Sequence, residues 1–265
     1  MDFLRCDSHV HVDRLDRDVL AADPLAADAG WRALVPGIEP GPTRAALDAT
    51  GDPRLRWAAA VHPWFVGDHE DPRDDARWGE VEALAADPRI CAVGETGLDA
   101  LRVGDDAAHA ARVEAWFLAH VELAVRVDKP LVIHCVRALH RLIELLRARR
   151  DGGLRGVVHA FSGSVEQAAE LARLGFSVGI GPAVTRERSR RVRAAAAGIP
   201  SDALLLETDA PYMAAAPRGR DEGRPADLIA VAEHVAALRG VSVDAVWAAN
   251  ARGFERLFGE GRVAG

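Results

Sequence analysis

Lysine is almost missing from this chain: Lys129 is the only one, and every other basic residue is arginine. Cysteine is scarce too, at three residues. Cys6, Cys91 and Cys135 are far apart, odd in number and set in apolar runs, which argues against a disulfide framework and predicts buried, reduced thiols. Cys135 directly follows His134, so a ligating thiol stands as the alternative to simple core packing. No apolar run approaches the length a bilayer requires, and MDFLRCDSH lacks the basic and apolar regions of a secretory signal. The expectation is a cytoplasmic protein with no membrane contact and no obligate protein partner. The net charge of −7 gives no global field to attract nucleic acid. The basic run RERSRRVR at 186–193 reads as a solvated helix face, with a phosphate-binding rim as the alternative.

What the chain does contain is alternation. Short apolar runs near 3–9, 31–36, 56–61, 90–95, 130–135, 156–160, 176–180 and 204–208 are separated by longer helical patterns. The helical stretches fall at 43–50, 78–87, 109–127, 139–150, 165–175, 186–198 and 227–240. Runs such as LVIHC and VVHAF are nearly all apolar, as expected of parallel strands buried on both faces. Eight such units predict an α/β fold, a (β/α)8 TIM barrel occupying 1–265 as one domain. An open doubly wound sheet is the alternative, weakened by the lack of a G-x-G-x-x-G in the first unit. APRGRDEGRPAD at 216–227 reads as a long loop after the eighth strand.

The segment CDSHVHVD at 6–13 sets Asp7, His9 and His11 on alternate positions. Alternate strand side chains face one way, so two imidazoles there can hold one metal ion; in a loop they would be two solvated histidines. Barrel enzymes carry their chemistry at the C-terminal ends of the strands, and ligand-type residues recur at those ends. They are His62 in VHPW, Glu95 in AVGETGLD, His134 in LVIHC, His159 in VVHAFSG, and Glu207 and Asp209 in LLLETDAP. One histidine on an apolar strand is ordinarily a hydrogen-bonded core residue. So many imidazoles and carboxylates at one mouth would instead bury polar groups that metal ions satisfy.

His9, His11, Glu95, His134, His159 and Asp209 are more ligands than one hydrolytic zinc ion with an open position needs. Two divalent ions, of zinc, magnesium, manganese or a similar metal, distribute them, with Glu95 as the bridge. A carboxylated lysine cannot take that place, because Lys129 precedes the fifth strand at the opposite end from His134. Two metals lower the pKa of a shared water and polarise a substrate oxygen. Asp209 would ligate and accept that water's proton, making Asp209 and Glu95 the candidate catalytic pair. Glu207 should lie one layer deeper and hold a ligand histidine. His62 either contacts a substrate oxyanion or is a hydrogen-bonded histidine before a proline. Asp7 reads as a hydrogen-bonding support.

Together DSHVHVD, VHP, GETGLD, VIHC, HAFSG, LLLETDAPY, RGRDEGRP and the C-terminal NARGFERLF resemble the TatD family of metal-dependent hydrolases, in order across nearly the whole chain. The resemblance implies a TIM barrel with a divalent metal site and 3′-to-5′ or related deoxyribonuclease activity. By that resemblance His9, His11, Glu95 and Asp209 match the ligands of one metal, Glu95, His134 and His159 those of the other, and His62 a position beside the substrate phosphate. The chain departs from the family pattern at the rim. Ala100 and Leu101 stand where aromatics follow GLD, Cys135 and Val136 follow the strand-five histidine, Trp64 stands where a histidine is common, and Gly223 replaces an asparagine.

Three functions fit these residues. A phosphodiesterase acting on DNA ends would meet phosphates with Arg137, Arg186, Arg218, Arg220 and Arg224, Arg218 joining His62 as a substrate contact, while Trp64 either stacks on a base or caps the mouth. A small-molecule hydrolase of amides, lactones or phosphoesters would use the same ligands. The third is a non-catalytic member that binds metal or serves as a subunit of a larger complex. Against it, a chain relieved of catalysis has no physical need for so many costly polar groups at one mouth.

Overall fold

The computed structural model describes residues 4–219 and 221–259. Phe3, where the first strand was expected to start, and Arg220 lie outside the described residues. Eight parallel strands form one sheet in sequence order: β1 (Arg5–Asp7), β2 (Trp31–Val35), β3 (Leu55–Ala59), β4 (Ile90–Asp99), β5 (Leu131–Val136), β6 (Gly156–Val158), β7 (Phe176–Ile180) and β8 (Leu204–Leu206). Around them run α1 (Arg17–Ala22), α2 (Pro40–Ala49), α3 (Ala76–Ala86), α4 (Ala100–Val103), α5 (Ala107–Arg126), α6 (Leu139–Arg147), α7 (Val165–Arg173), α8 (Arg190–Gly198), α9 (Asp227–Arg239) and α10 (Val243–Phe258). This is the expected TIM barrel. The helix expected from residue 186 starts only at Arg190, because Pro182–Thr185 form a 3-10 turn. No helix among the described residues is long and apolar enough to cross a membrane.

Strand alternation divides the core in two. Cys6, Leu34, Ala58, Ala92, Val132, Val157 and Leu205 pack inside the barrel, where Phe254 and Phe258 of α10 close its lower end. Their strand neighbours Ala33, Val35, Trp57, Val93, Ile133 and Leu206 face outward and pack with the helices. Between β8 and β1 the barrel is joined partly by a side chain. Ser8 N–H donates to Leu206 O at 2.9 Å. The buried Asn250 amide of α10 accepts from Leu206 N–H at 2.9 Å and donates to Cys6 O at 2.6 Å, standing in for ladder bonds those groups would otherwise lack.

Candidate metal centre

At the C-terminal ends of the strands the predicted residues converge, and local backbone irregularity aims several of them. Glu95 is one. Ala92 points inward and Val93 outward, so strict alternation would turn residue 95 outward. The β4–β5 register passes from Gly94–Val132 to Thr96–Ile133, leaving Glu95 as an extra, unpaired residue. Such a bulge re-aims a side chain, here into the mouth. Gly97, with φ +147°, fits because a Cβ there would collide with the His134 carbonyl.

His9 and His11 arrive differently from the sequence expectation. β1 ends at Asp7, so the two histidines lie beyond the strand and its pleat does not explain their shared direction. What holds that segment is Asp7, fully buried, whose Oδ1 accepts from the N–H groups of His9 and Thr208 and whose Oδ2 accepts from the Thr208 hydroxyl at 2.6 Å. Burial pushes the Asp7 carboxyl up to about 8. Asp209 N–H donates to His9 O at 2.8 Å, and Asp209 itself adopts φ +55°, a left-handed conformation that aspartate tolerates better than most residues.

The two oxygens of Glu95 face two different groups. Oε2 lies 3.2 Å from His9 Nε2 and 3.9 Å from His11 Nε2. Oε1 lies 2.9 Å from His134 Nδ1, 3.0 Å from His159 Nε2 and 3.3 Å from His62 Nε2. Asp209 Oδ1 closes the first group at 3.6 Å from His9 Nε2 and 3.4 Å from His11 Nε2. Three sets of donor atoms are compact enough to hold an ion: His9 with His11 and Asp209, His9 with Glu95 and His159, and His62 with Glu95 and His134. Burial alone would raise the Glu95 carboxyl, yet His159, His62 and His9 around it hold it well below the usual carboxylate range.

The donor set fits a cation on grounds internal to the structure. Both ring nitrogens of His9 are buried without a hydrogen bond, as are His11 Nδ1 and His159 Nδ1. His134 directs Nε2 to Asp99 Oδ2 at 3.1 Å. With that nitrogen protonated, a neutral ring turns the Nδ1 lone pair on Glu95 Oε1, 2.9 Å away. Two acceptors that close need a proton or a metal ion between them. His62 is different: its Nδ1 accepts from Trp64 N–H at 3.1 Å, so its neutral ring carries a proton on Nε2 toward Glu95.

Glu207, two residues before Asp209, is fully buried. Its Oε1 accepts from Ala160 N–H and lies 3.7 Å from His159 Nδ1. Lys129 is at the other end, its Nζ donating to the Ala85 and Asp87 carbonyls. Arg218 is not brought to the mouth: it pairs with the carboxylate of buried Asp227. Among the described residues, the arginines that line the mouth are Arg14 and Arg137, beside Ile38, Trp64, Phe65, Val136, Tyr212 and Met213, around a cavity of ≈ 660 Å³. A larger cavity of ≈ 790 Å³ lies at the opposite end, around Trp57, Cys91 and Lys129, and contains none of the clustered histidines. Chemistry, not size, marks the site. Two groups were missed as functional candidates. Asp99, four residues after Glu95, binds His134 and Trp64, and Tyr212 sets its ring 5.1 Å from that of His11. Both sat within motifs already singled out, GETGLD and ETDAPY. Gly223 lies so close to the Met213 carbonyl that a Cβ would collide with it, so the asparagine of the family pattern would not fit this backbone.

A parallel barrel with imidazoles and carboxylates gathered at its C-terminal mouth defines a metal-dependent hydrolase class. The chain belongs to the TatD related DNase family, whose sequence model matches residues 6–259, and it is a TatD-type metal-dependent hydrolase. It is 32% identical over 260 residues to an uncharacterized metal-dependent hydrolase, YcfH of Escherichia coli K12, covering 95% of this chain and 94% of that one. To the 3′-5′ ssDNA/RNA exonuclease TatD of Edwardsiella piscicida it is 37% identical over 168 residues, 61% of this chain and 60% of that one. The crystal structure of YjjV, a TatD homologue from Escherichia coli K12, superposes with a TM-score of 0.85 at 29% identity, over 97% of this chain and 99% of that one.

Proposed function

We propose that this protein is a nuclease that removes nucleotides from DNA ends by metal-assisted phosphodiester hydrolysis, within one barrel domain spanning 1–265. The observation that carries the reading is the division of Glu95, with Oε2 toward His9 and Oε1 toward His134 and His159. That division suits a bridging carboxylate between two divalent ions, of zinc, magnesium, manganese or a similar metal. His9, His11, Glu95 and Asp209 would hold one, and Glu95, His134 and His159 the other.

Such ions would supply an acidified water and polarisation of the phosphate. The protein supplies the rest. Asp209, which turns Oδ1 to His9 and His11, takes up the water's proton on its carboxylate. His62, whose Nε2 proton faces Glu95 Oε1 at the cavity wall, stands beside the phosphate. Arg137 and Arg14 at the rim meet neighbouring phosphates. A site that grips a few terminal nucleotides needs little global basic charge, because affinity scales with the phosphates neutralised. Its thiols are free, which suits a reducing compartment such as the cytoplasm.

The test is hydrolysis of a labelled single-stranded oligonucleotide by metal-stripped protein with Mg²⁺, Mn²⁺ or Zn²⁺ restored. Metal-dependent trimming that Asp209→Asn abolishes is the expected result. No trimming with any metal would transfer the reading to a small-molecule ester or amide hydrolase using the same ligands.

A further inference from the structure

Of the six tryptophans in the chain, five are buried, each no more than 6% exposed; Trp64 is 52% exposed. It stands on the wall of the mouth cavity beside Phe65, itself 41% exposed. Adjacent exposed aromatic rings on a cavity wall form the kind of apolar surface that marks a ligand-binding groove. Nor is this one loose. Its Nε1–H donates to Asp99 Oδ2 at 2.7 Å, and its backbone N–H donates to His62 Nδ1. Its ring lies 5.3 Å from that of His62 and 6.2 Å from that of His134. The Arg102 guanidinium sits 5.7 Å from its centroid.

Resting on the nuclease reading above, we infer that Trp64 is a fixed stacking platform for the nucleobase next to the phosphate over Glu95. Three features select a base over other occupants. An indole face takes any base. Asp99 fixes the ring on the oxygen that also holds His134, so a stacked base is positioned relative to the reacting centre. Arg102 lies over one face of the ring in a cation–π contact, which holds the indole and leaves a base the opposite face. Held in advance, the ring loses little freedom on binding.

The burial of the other five tryptophans makes the test specific. A short phosphorothioate oligonucleotide, resistant to cleavage, is titrated into the purified protein while tryptophan emission and acrylamide quenching are recorded. Expected are quenching of the exposed emission, protection from acrylamide, and loss of both signals in Trp64→Leu. In parallel, oligonucleotides ending in a normal or an abasic nucleotide are hydrolysed. The wild type should prefer the base-bearing end by about tenfold in KM, Trp64→Leu should lose that preference, and Trp64→Phe should retain most of it. Binding or hydrolysis with unchanged Trp64 emission, or an equal abasic preference in wild type and Trp64→Leu, would overturn the platform and leave the nuclease reading intact. Neither binding nor hydrolysis of any oligonucleotide would overturn both.

Discussion

The protein buries histidine in two regions, and they are opposite in completeness. On the buried face of α5, His120 is fully buried between Trp78 and Trp116. Its Nδ1–H donates to Trp116 O at 2.7 Å, and its Nε2 accepts from Val61 N–H at 3.1 Å. A neutral ring there is satisfied, and burial lowers its pKa to about 4. At the mouth His9 is equally buried, yet neither ring nitrogen has a hydrogen bond, and the ring stacks on His159 at 3.8 Å. Burial alone therefore does not tell a structural histidine from a ligand. The state of its two nitrogens does, because a buried polar atom without a partner is costly unless something arrives to pair it.

The largest effect should come from disabling the incomplete region. Asp209→Asn keeps the shape of its side chain but removes the charge facing His9 and His11, and the expected loss in kcat is about a thousandfold. His120→Gln should leave kcat within a few-fold. If both variants lost activity alike, the distinction between the two regions would fail.

Metal removal should act next, and only at the mouth. A ligand present at a hundredfold excess over its Kd stabilises the native state by about 3 kcal/mol. For a chain of this size, chelation should then lower Tm by roughly 6–12 °C, read by calorimetry with and without Mn²⁺ or Zn²⁺. Glu95→Gln should abolish most of that shift. A Tm indifferent to chelator and metal would mean that the orphaned nitrogens of His9 have another partner.

The order of strands and most of the clustered histidines and carboxylates of the mouth were legible in the sequence, because parallel strands write apolar runs and the His, Asp and Glu stand at their ends. What was not legible is how those residues are aimed. Nothing in AVGETGLD announces the extra residue that turns Glu95 inward, and HVH suggests a strand that the chain has already left at Asp7. Arg218 looked like a phosphate contact because its partner Asp227, nine residues on, became a buried carboxylate only in the fold. α10 was missed as an element because it adds a helix outside the strand–helix rhythm, yet its Phe254, Phe258 and Asn250 close the barrel. Such matters of register and long-range pairing leave little local signal.

Acid should test the complete region. The folded His120 value of about 4 lies below the ordinary 6.5, so on acidification the unfolded chain takes up that proton first. Stability from this residue is present above about pH 6.5 and is lost as pH falls toward 4. At pH 5 the loss is about 2 kcal/mol. Urea unfolding of metal-free wild type and His120→Gln at pH 7 and pH 5 isolates it, since titrations at the mouth are common to both chains. Parallel pH dependence in the two would show that His120 is not held neutral.

The smallest effect probes how close the two regions come. Glu95 and its immediate neighbour Thr96 serve opposite sides of β4. Glu95 faces the histidines of the mouth, while Thr96, 1% exposed, turns its hydroxyl to His120 Nδ1 at 3.2 Å. Because that nitrogen already donates to Trp116 O, the threonine contact is a shared one. Thr96→Val, similar in shape, should cost about 1 kcal/mol in unfolding free energy. Its kcat and metal dependence should stay within twofold of the wild type. A tenfold loss of kcat would show that the packing under α5 sets the direction of Glu95, and that the bulge alone does not separate the satisfied histidine from the unsatisfied one.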